Sequence, residues 1–559
     1  MRQRFYMIAP ILLFLATLPF SLPTIHSPLN LRFDWLTAHT IISLSFYKKC
    51  SPAPYLGASI MMGTGPELDC KSPMRAEPDQ KPVYLSYPSA WLDVLIPFRS
   101  WLISKDLNQT IVRIRWFTLL AVRLLLIAAL LGITLQFTSG TTDSFTRYLL
   151  CVAASIPVVF SPGFLHFSQN TYFADIVTVP VTLILLFRFA SENTTRSFSS
   201  RIIDFFLGCA AASMAWLGAL AVLVVIGRGV ASAIRQKLWA QFFARYTGLI
   251  LGAVAAASFY LYQVALFDPE LKQIHGTFLQ RLEMGAPDGT ASFGDFLGGF
   301  AAHANGFAGW SPLNRLPLVF LVGCVAIPLW IFIRGNRRQK KILLLIWLPP
   351  TLHLLIFTQH SYIHDFSPFK WVGVFILCGV FLFSNTLRYL QIFINPRPAA
   401  ILVLAAMIGI AAHSDPGKRL RVYSLFSEET AEAAWSHERL VKTLGGSDRV
   451  LIALDEDSET SGWLGTKLSA LPWPPLNLAA GGRQIYTPAL LRSWLPVWAD
   501  GVTLSLKPTF IAFSSEMQRS GDECEGRWHP TNIRIFQRVL YSCEDERTIQ
   551  RYMDTTSQL

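Results

Sequence analysis

The stretch QHSYIHDFSPFK, residues 359–370, sets His360, His364, Asp365 and Lys370 between two long apolar runs. A lysine ammonium in that position is a compact charge suited to neutralising a phosphate, and the imidazoles and carboxyl beside it are suited to orienting or protonating one. A second concentration, HFSQNTYFAD at 166–175, ends in Asp175 where another apolar run begins. That carboxylate could bind a hydroxyl or hold a catalytic partner. A third, RFDWLTAH at 32–39, carries Asp34 and His39 just beyond the first apolar run. Asp34 has the chemistry of a general base that takes the proton of an acceptor hydroxyl. TIVRIRWF brings Arg113 and Arg115 to the edge of a further run, with Arg123 slightly deeper, as groups that could grip a lipid phosphate. In KPVYLSYPSAW, Tyr84, Tyr87 and Trp91 would line a sugar or lipid groove well.

Each of these residues also has a bland role. Asp34 precedes WLTAHTIISL as a helix N-cap would. Asp175 could pair with an arginine at a helix end, Lys370 could snorkel at the start of a span, and the arginines and tyrosines could anchor the chain at the interface. His360 and His364 have HxxxH spacing, which permits a metal site, but SPF follows at once and the loop is short for a helix, so no metal is expected. Asp455 and Asp457 in LDEDSE copy the DxD of metal-dependent nucleotide-sugar transferases, yet they lie on the expected outer side and read as a solvated loop. Gly248 and Gly252 form a GxxxG that reads as close helix packing.

The elements that must position these groups belong in a bilayer. The chain is 52% hydrophobic and 15% charged, against roughly 25% charged residues in a soluble domain, and its mean hydropathy is +0.39. Apolar runs predict spans at roughly 7–23, 116–136, 147–163, 173–190, 202–215, 217–231, 247–266, 316–333, 342–357, 371–391 and 399–412, each near the roughly 20 residues a crossing helix needs. The region 202–231 reads equally as one long helix or two short ones broken near Trp216 to Gly218. MRQRFYMIAPILLFLATLPFSLP resembles a signal peptide but lacks a clear cleavage site, and an uncleaved first helix with a cytoplasmic N-terminus is expected.

Lys and Arg test this path independently, because they should mark alternate loops. Arg196 and Arg201, then Arg235, Lys237 and Arg245, then Arg337, Arg338, Lys340 and Lys341, then Arg388 and Arg397 all fall on expected inner segments. Much of the net charge of +12 is therefore a topology signal, which argues against nucleic-acid binding. Ten of the eleven histidines fall outside or at the outer face, and His353 alone lies within a span. Cys151, Cys209, Cys324 and Cys378 fall in spans, whereas Cys50 and Cys70, and Cys524 and Cys543, lie outside as two possible local disulfides.

The expected fold class is thus a polytopic α-helical membrane protein of about eleven spans, residues 1–412, with a small C-terminal α/β domain, 413–559. The first outer loop, 24–115, contains DWLTAHTIISLSFYKK and YPSAWLDVLIPFRSWL as surface helices. In the tail, TAEAAWSHERLVKTL reads as a helix, and RVLIAL and TFIAFS as buried strands.

A first span, an acid in a long outer loop with surface helices, many further spans and an exterior C-terminal domain together resemble the GT-C superfamily of polyprenyl-phosphate-sugar-dependent glycosyltransferases. Its bacterial protein-mannosyltransferase-like and ArnT-like members are the most similar. Asp34 matches the catalytic acid of the first outer loop, Asp175 matches the further acid between spans three and four, and YLSYPSAW looks like their Y-x-x-YPP segment, with Ser89 departing from the second proline. DW stands at 34 and 35 where many members carry DE.

The resemblance implies inverting transfer of a sugar from a polyprenyl-phosphate donor to an acceptor hydroxyl, on the periplasmic face of a bacterial inner membrane, without a cofactor. Asp34 and Asp175 would be catalytic; Lys370, His364, Arg113 and Arg115 would hold the donor phosphate; His39, Tyr84, Tyr87, Asp365 and His360 would line the groove. Expected partners are membrane lipid, the lipid-linked donor and an envelope glycan, lipid or protein acceptor. The rival is a secondary transporter or flippase, which would place its acids near the bilayer midplane in repeated halves.

Overall fold

The computed structural model describes residues 2–26, 34–60, 83–104, 107–139, 143–190, 197–271, 274–275, 293–309, 319–364, 366–390 and 394–424, together with the backbone of six tail strands. Helices of six residues or more are numbered in chain order. They are α1 (Arg2–Ile25), α2 (Asp34–Lys49), α3 (Leu107–Thr118 running through a π turn, Leu119–Leu124, into Leu125–Phe137), α4 (Ser144–Val159), α5 (Pro162–Asn170), α6 (Ala174–Ala190), α7 (Phe198–Met214), α8 (Trp216–Gln236) and α9 (Trp239–Phe267). There follow α10 (Phe293–Ala308), α11 (a π turn Val319–Ala326 with Ile327–Arg334), α12 (Arg337–Ile356), α13 (Thr358–Ile363), α14 (Val372–Leu390), α15 (Pro396–His413) and α16 (Pro416–Ser424).

Among the described residues six helices are long and apolar enough to cross a membrane: Ile8–Ile25, Gln109–Phe137, Trp216–Gln236, Trp239–Phe267, Ser367–Tyr389 and Pro396–His413. Their outer faces carry exposed Ile11, Leu12, Leu223, Leu251, Val254, Leu261, Leu402 and Ile410. Such faces are stable against lipid and unstable against water. The other predicted spans also fall on helices, α4 with α5, α6, α7, α11 and α12.

Three breaks shape this unit. The region 202–231 is two helices, because Ala215 is extended at φ −162° and ψ 169° between α7 and α8. Helices α4 and α5 meet at 76°. Pro162 forces the preceding Ser161 out of helical geometry, to φ −68° and ψ 143°, and the Ser161 hydroxyl then accepts from Phe164 N to cap α5. In α3 the helix widens into its π turn at the point where Arg123 turns inward. Close packing elsewhere uses the GxxxG as expected: a Cβ on Gly248 would meet the carbonyl of Arg201 at 2.3 Å and one on Gly252 that of Phe205 at 2.0 Å, so α9 lies backbone against backbone on α7.

By compactness the chain divides into two units, residues 1–26, 85–94 and 112–424 in the first, and 27–84, 95–111 and 425–559 in the second. In the second, DWLTAHTIISLSFYKK is helix α2, as expected. It packs on an antiparallel pair, β1 (Ser59–Ile60) with β2 (Val83–Tyr84), in the register Ser59↔Tyr84. Ser43 Oγ accepts from Ile60 N at 3.0 Å, and the Tyr47 hydroxyl donates to the Ala58 carbonyl. YPSAWLDVLIPFRSWL is not one helix: it breaks into Ala90–Asp93, a 3-10 turn Ile96–Phe98 and Arg99–Leu102 around Pro97. The tail strands are β3 (Val450–Leu454), β4 (Ala479–Ala480), β5 (Arg483–Ile485), β6 (Thr509–Phe513), β7 (His529–Ile535) and β8 (Arg538–Cys543), ordered β4-β5-β3-β6-β8-β7. RVLIAL and TFIAFS supply β3 and β6, which pair in parallel at the sheet centre. The expected tail helix and the Asp455–Asp457 loop lie outside the described residues.

Cys151, Cys209, Cys324 and Cys378 are free, and Cys50 is disulfide-bonded. Cys70 and Cys524 lie outside the described residues, as does the Cys543 side chain.

Candidate active site

Asp175 lies in the first turn of α6 and is 1% exposed. The helix N-terminus offers a carboxylate unpaired N–H groups and the positive end of the dipole. The chain reaches this point through Thr171, extended after α5, so a short polar turn joins two helices whose flanks are wholly buried.

Lys370 lies in a 3-10 turn, Ser367–Trp371, that has Pro368 near its start and runs directly into α14. Its Nζ is 2.7 Å from Asp175 Oδ1 and 3.1 Å from His353 Nε2, and 5.6 Å from the centre of the Phe366 ring. An ammonium can only donate, so His353 Nε2 is the acceptor in this contact. Asp175 Oδ2 accepts a 2.5 Å hydrogen bond from the Tyr87 hydroxyl and lies 3.4 Å from His360 Nε2. Tyr87 and His360 are themselves 3.4 Å apart. One carboxylate thus gathers an ammonium, a phenol and an imidazole. Its charge and that of Lys370 cancel, which lowers the cost of burying either.

Tyr87 reaches this site because its segment is pinned from four sides. The Tyr260 hydroxyl donates to Leu85 O at 2.7 Å, Trp216 Nε1 to Ser86 O at 3.0 Å, Gln263 Nε2 to Ser89 Oγ at 2.9 Å and the Tyr172 hydroxyl to Trp91 O at 2.7 Å. Trp91 packs on Phe173 with ring centres 5.0 Å apart. A loop that would otherwise bury orphan carbonyls is therefore satisfied by side chains of α6's approach, α8 and α9. Asp93, at the end of this segment, has its carboxyl pushed up to about 7 by burial, against the opposing hydrogen bond from Ser89.

His364 stacks on Phe366 at 4.7 Å and lies 4.4 Å, ring to ring, from His360, one step removed from Asp175. Arg113 is half-buried on α3. Arg115 is fully buried, and its Nη1 donates to the carbonyls of Thr24 and Ile25, the end of α1. Arg123 is equally buried: its nitrogens donate to Ser168 Oγ, Thr17 Oγ1, Ser21 Oγ, Leu165 O and Gln169 Oε1, which uses all five N–H groups to tie α1 and α5 to α3. Neither arginine is a surface anchor. Tyr84 is in β2 of the other unit. Asp34 opens α2 and His39 lies within it, but both side chains, like Asp365, lie outside the described residues.

The residue sequence reasoning passed over is His353. An ionisable side chain inside a span is a functional candidate by default, and its helix is further marked by Pro349 and Pro350 one turn earlier. It served only as a check on topology, because its partner Lys370 is 17 residues away across a turn.

No family model and no curated protein matches the chain. Among solved structures, ArnT from Cupriavidus metallidurans, bound to undecaprenyl phosphate, matches over 96% of this chain and 97% of that one, with a TM-score of 0.50 at 13% identity. The oligosaccharyltransferase of Archaeoglobus fulgidus in its apo form gives 0.43 at 11% identity over 88% of this chain and 64% of that one. AglB from the same organism, in complex with an inhibitory peptide and a dolichol-phosphate, gives 0.40 at 14% over 78% and 58%. The likeness to ArnT spans nearly all of both chains and shows that the two share a fold, the one the sequence resemblance implied.

Proposed function

We propose that this chain is a glycosyltransferase that moves a sugar from a polyprenyl-phosphate donor to an acceptor hydroxyl, with inversion, at the periplasmic face of a bacterial inner membrane. The observation that carries the proposal is the buried Asp175–Lys370 pair with Tyr87, His360 and His353 around it, in a fold shared with an enzyme whose structure holds undecaprenyl phosphate. On this reading eleven helices cross the bilayer and put Asp34, the turn before Asp175 and the turn before Lys370 on one side.

Asp34 removes the acceptor proton as general base. The hydroxyl attacks the anomeric carbon, and the donor phosphate leaves with the electron pair. Lys370, held by Asp175 and His353 at a fixed position, meets the charge that develops on that phosphate, a form of stabilisation that is strongest where water is excluded. Asp175 acts through Lys370 and Tyr87. Arg113, half-buried on α3, is assigned to the headgroup by the resemblance, whereas Arg115 is assigned to holding the end of α1. His360 and His364 stand at the Asp175 end of the cluster, and Tyr84, His39 and Asp365 are assigned to the substrate groove by the resemblance alone. The reaction needs no metal ion and no cofactor beyond the lipid-linked donor.

Proteoliposomes supplied with a labelled polyprenyl-phosphate sugar and an envelope extract separate this from transport. Transfer predicts free polyprenyl phosphate and label on a new acceptor, with a drop of about 10²-fold or more in Lys370→Ala. Movement of the intact donor across the bilayer, with the sugar–phosphate bond unbroken, would support the transporter instead.

A further inference from the structure

Asp175, His353 and His360 are all buried, and each offers a ligand atom within 4.8 Å of the other two. Two imidazoles and one carboxylate are a donor set that binds zinc and its neighbours in the first transition row. In a tetrahedral zinc site ligand atoms stand about 3.4 Å apart, and the His360 Nε2 to Asp175 Oδ2 separation is already 3.4 Å. The triad comes from α6, α12 and α13, three separate helices.

The Lys370 ammonium stands against two of these three ligands, 2.7 Å from Asp175 and 3.1 Å from His353. We propose that Asp175, His353 and His360 form a cation triad whose resident cation is the Lys370 side chain, and that removing this side chain turns the triad into a divalent-metal site. The charge balance favours the lysine at membrane depth. One ammonium against one carboxylate leaves the cluster neutral, whereas a divalent ion would leave it with a net positive charge to bury. A tethered cation also makes the site independent of metal supply, and it keeps His353 Nε2 and the carboxylate engaged.

The inference holds whichever reaction the site performs, because its readout is metal binding with no donor present. Lys370→Met and Lys370→Gln, purified in detergent and checked for a monodisperse peak and a cooperative melt, are titrated with cobalt(II) chloride alone. Visible absorption then reports bound cobalt in a nitrogen and oxygen site. The expected result is saturable binding in both variants, at least about tenfold tighter than in the wild type, and lost in Lys370→Met/His353→Ala. Zinc chloride should raise the melting temperature of Lys370→Met and leave that of the wild type unchanged. Wild-type binding as tight as in the variants would overturn the proposal. So would cobalt binding that survives loss of His353, or two folded lysine variants that bind no cobalt.

Discussion

Replacing Asp175 by Asn tests the buried pair directly. The ammonium of Lys370 has a side chain 2% exposed, with Asp175 Oδ1 at 2.7 Å as its carboxylate. Asp175→Asn keeps the shape and the acceptor for Tyr87 but leaves the lysine charge uncompensated, a change that costs about 3–5 kcal/mol for a buried pair. Lys370→Met is expected to cost less, about 1–3 kcal/mol, because Asp175 keeps the Tyr87 hydroxyl at 2.5 Å and His360 at 3.4 Å. The double variant carries neither charge. It should be more stable than Asp175→Asn alone, with a coupling of about 2–3 kcal/mol. Thermal melts in mild detergent, followed by tryptophan fluorescence and calibrated against reversible denaturation, give all three values, and each variant should transfer sugar slower by about 10²-fold or more. A double variant whose loss equals the sum of the two single losses would refute the pairing.

Two other expectations follow from particular side chains. Asp93 holds its proton up to about pH 7 in the folded chain, against an ordinary value of 3.8; the folded state thus binds the extra proton between these values, and its stability falls as pH rises through them. Asp93→Asn should therefore melt higher than the wild type at pH 8, by the equivalent of up to about 4 kcal/mol, and equal it near pH 4; a gain that is the same at both values would place the effect elsewhere. Gly252→Leu forces a side chain where a Cβ alone would meet Phe205 O at 2.0 Å, so α7 and α9 must separate, with a loss of about 3 kcal/mol or more in a detergent melt; an unchanged melt would contradict the backbone contact.

Hydropathy made the helices legible, because a span must be apolar over its whole length whatever it packs against. It could not choose between one helix and two at 202–231, where the break is a single extended residue, Ala215, with no proline or glycine at that position to mark it. Asp175 and Lys370 stood out as ionisable groups beside apolar runs, but their pairing joins residues 195 positions apart and belongs to the packing of α6 against the turn before α14. Tyr87 was chosen for its chemistry, and the hydrogen bonds that deliver it, from Tyr172, Trp216, Tyr260 and Gln263, have no local pattern. Arg115 and Arg123 looked like headgroup ligands because sequence shows depth along a helix and not the side it faces. Both face inward, on the carbonyls and hydroxyls of α1 and α5.

Transfer itself is tested most directly at Asp34, the first residue of α2. Wild-type and Asp34→Asn chains, reconstituted in equal amounts, are given the same labelled polyprenyl-phosphate sugar with an envelope extract as acceptor, and release of polyprenyl phosphate is followed over time. A general base predicts that the wild type turns the donor over and that Asp34→Asn is slower by about 10²-fold or more, with its melting temperature unchanged. Equal turnover in the two chains would contradict the account.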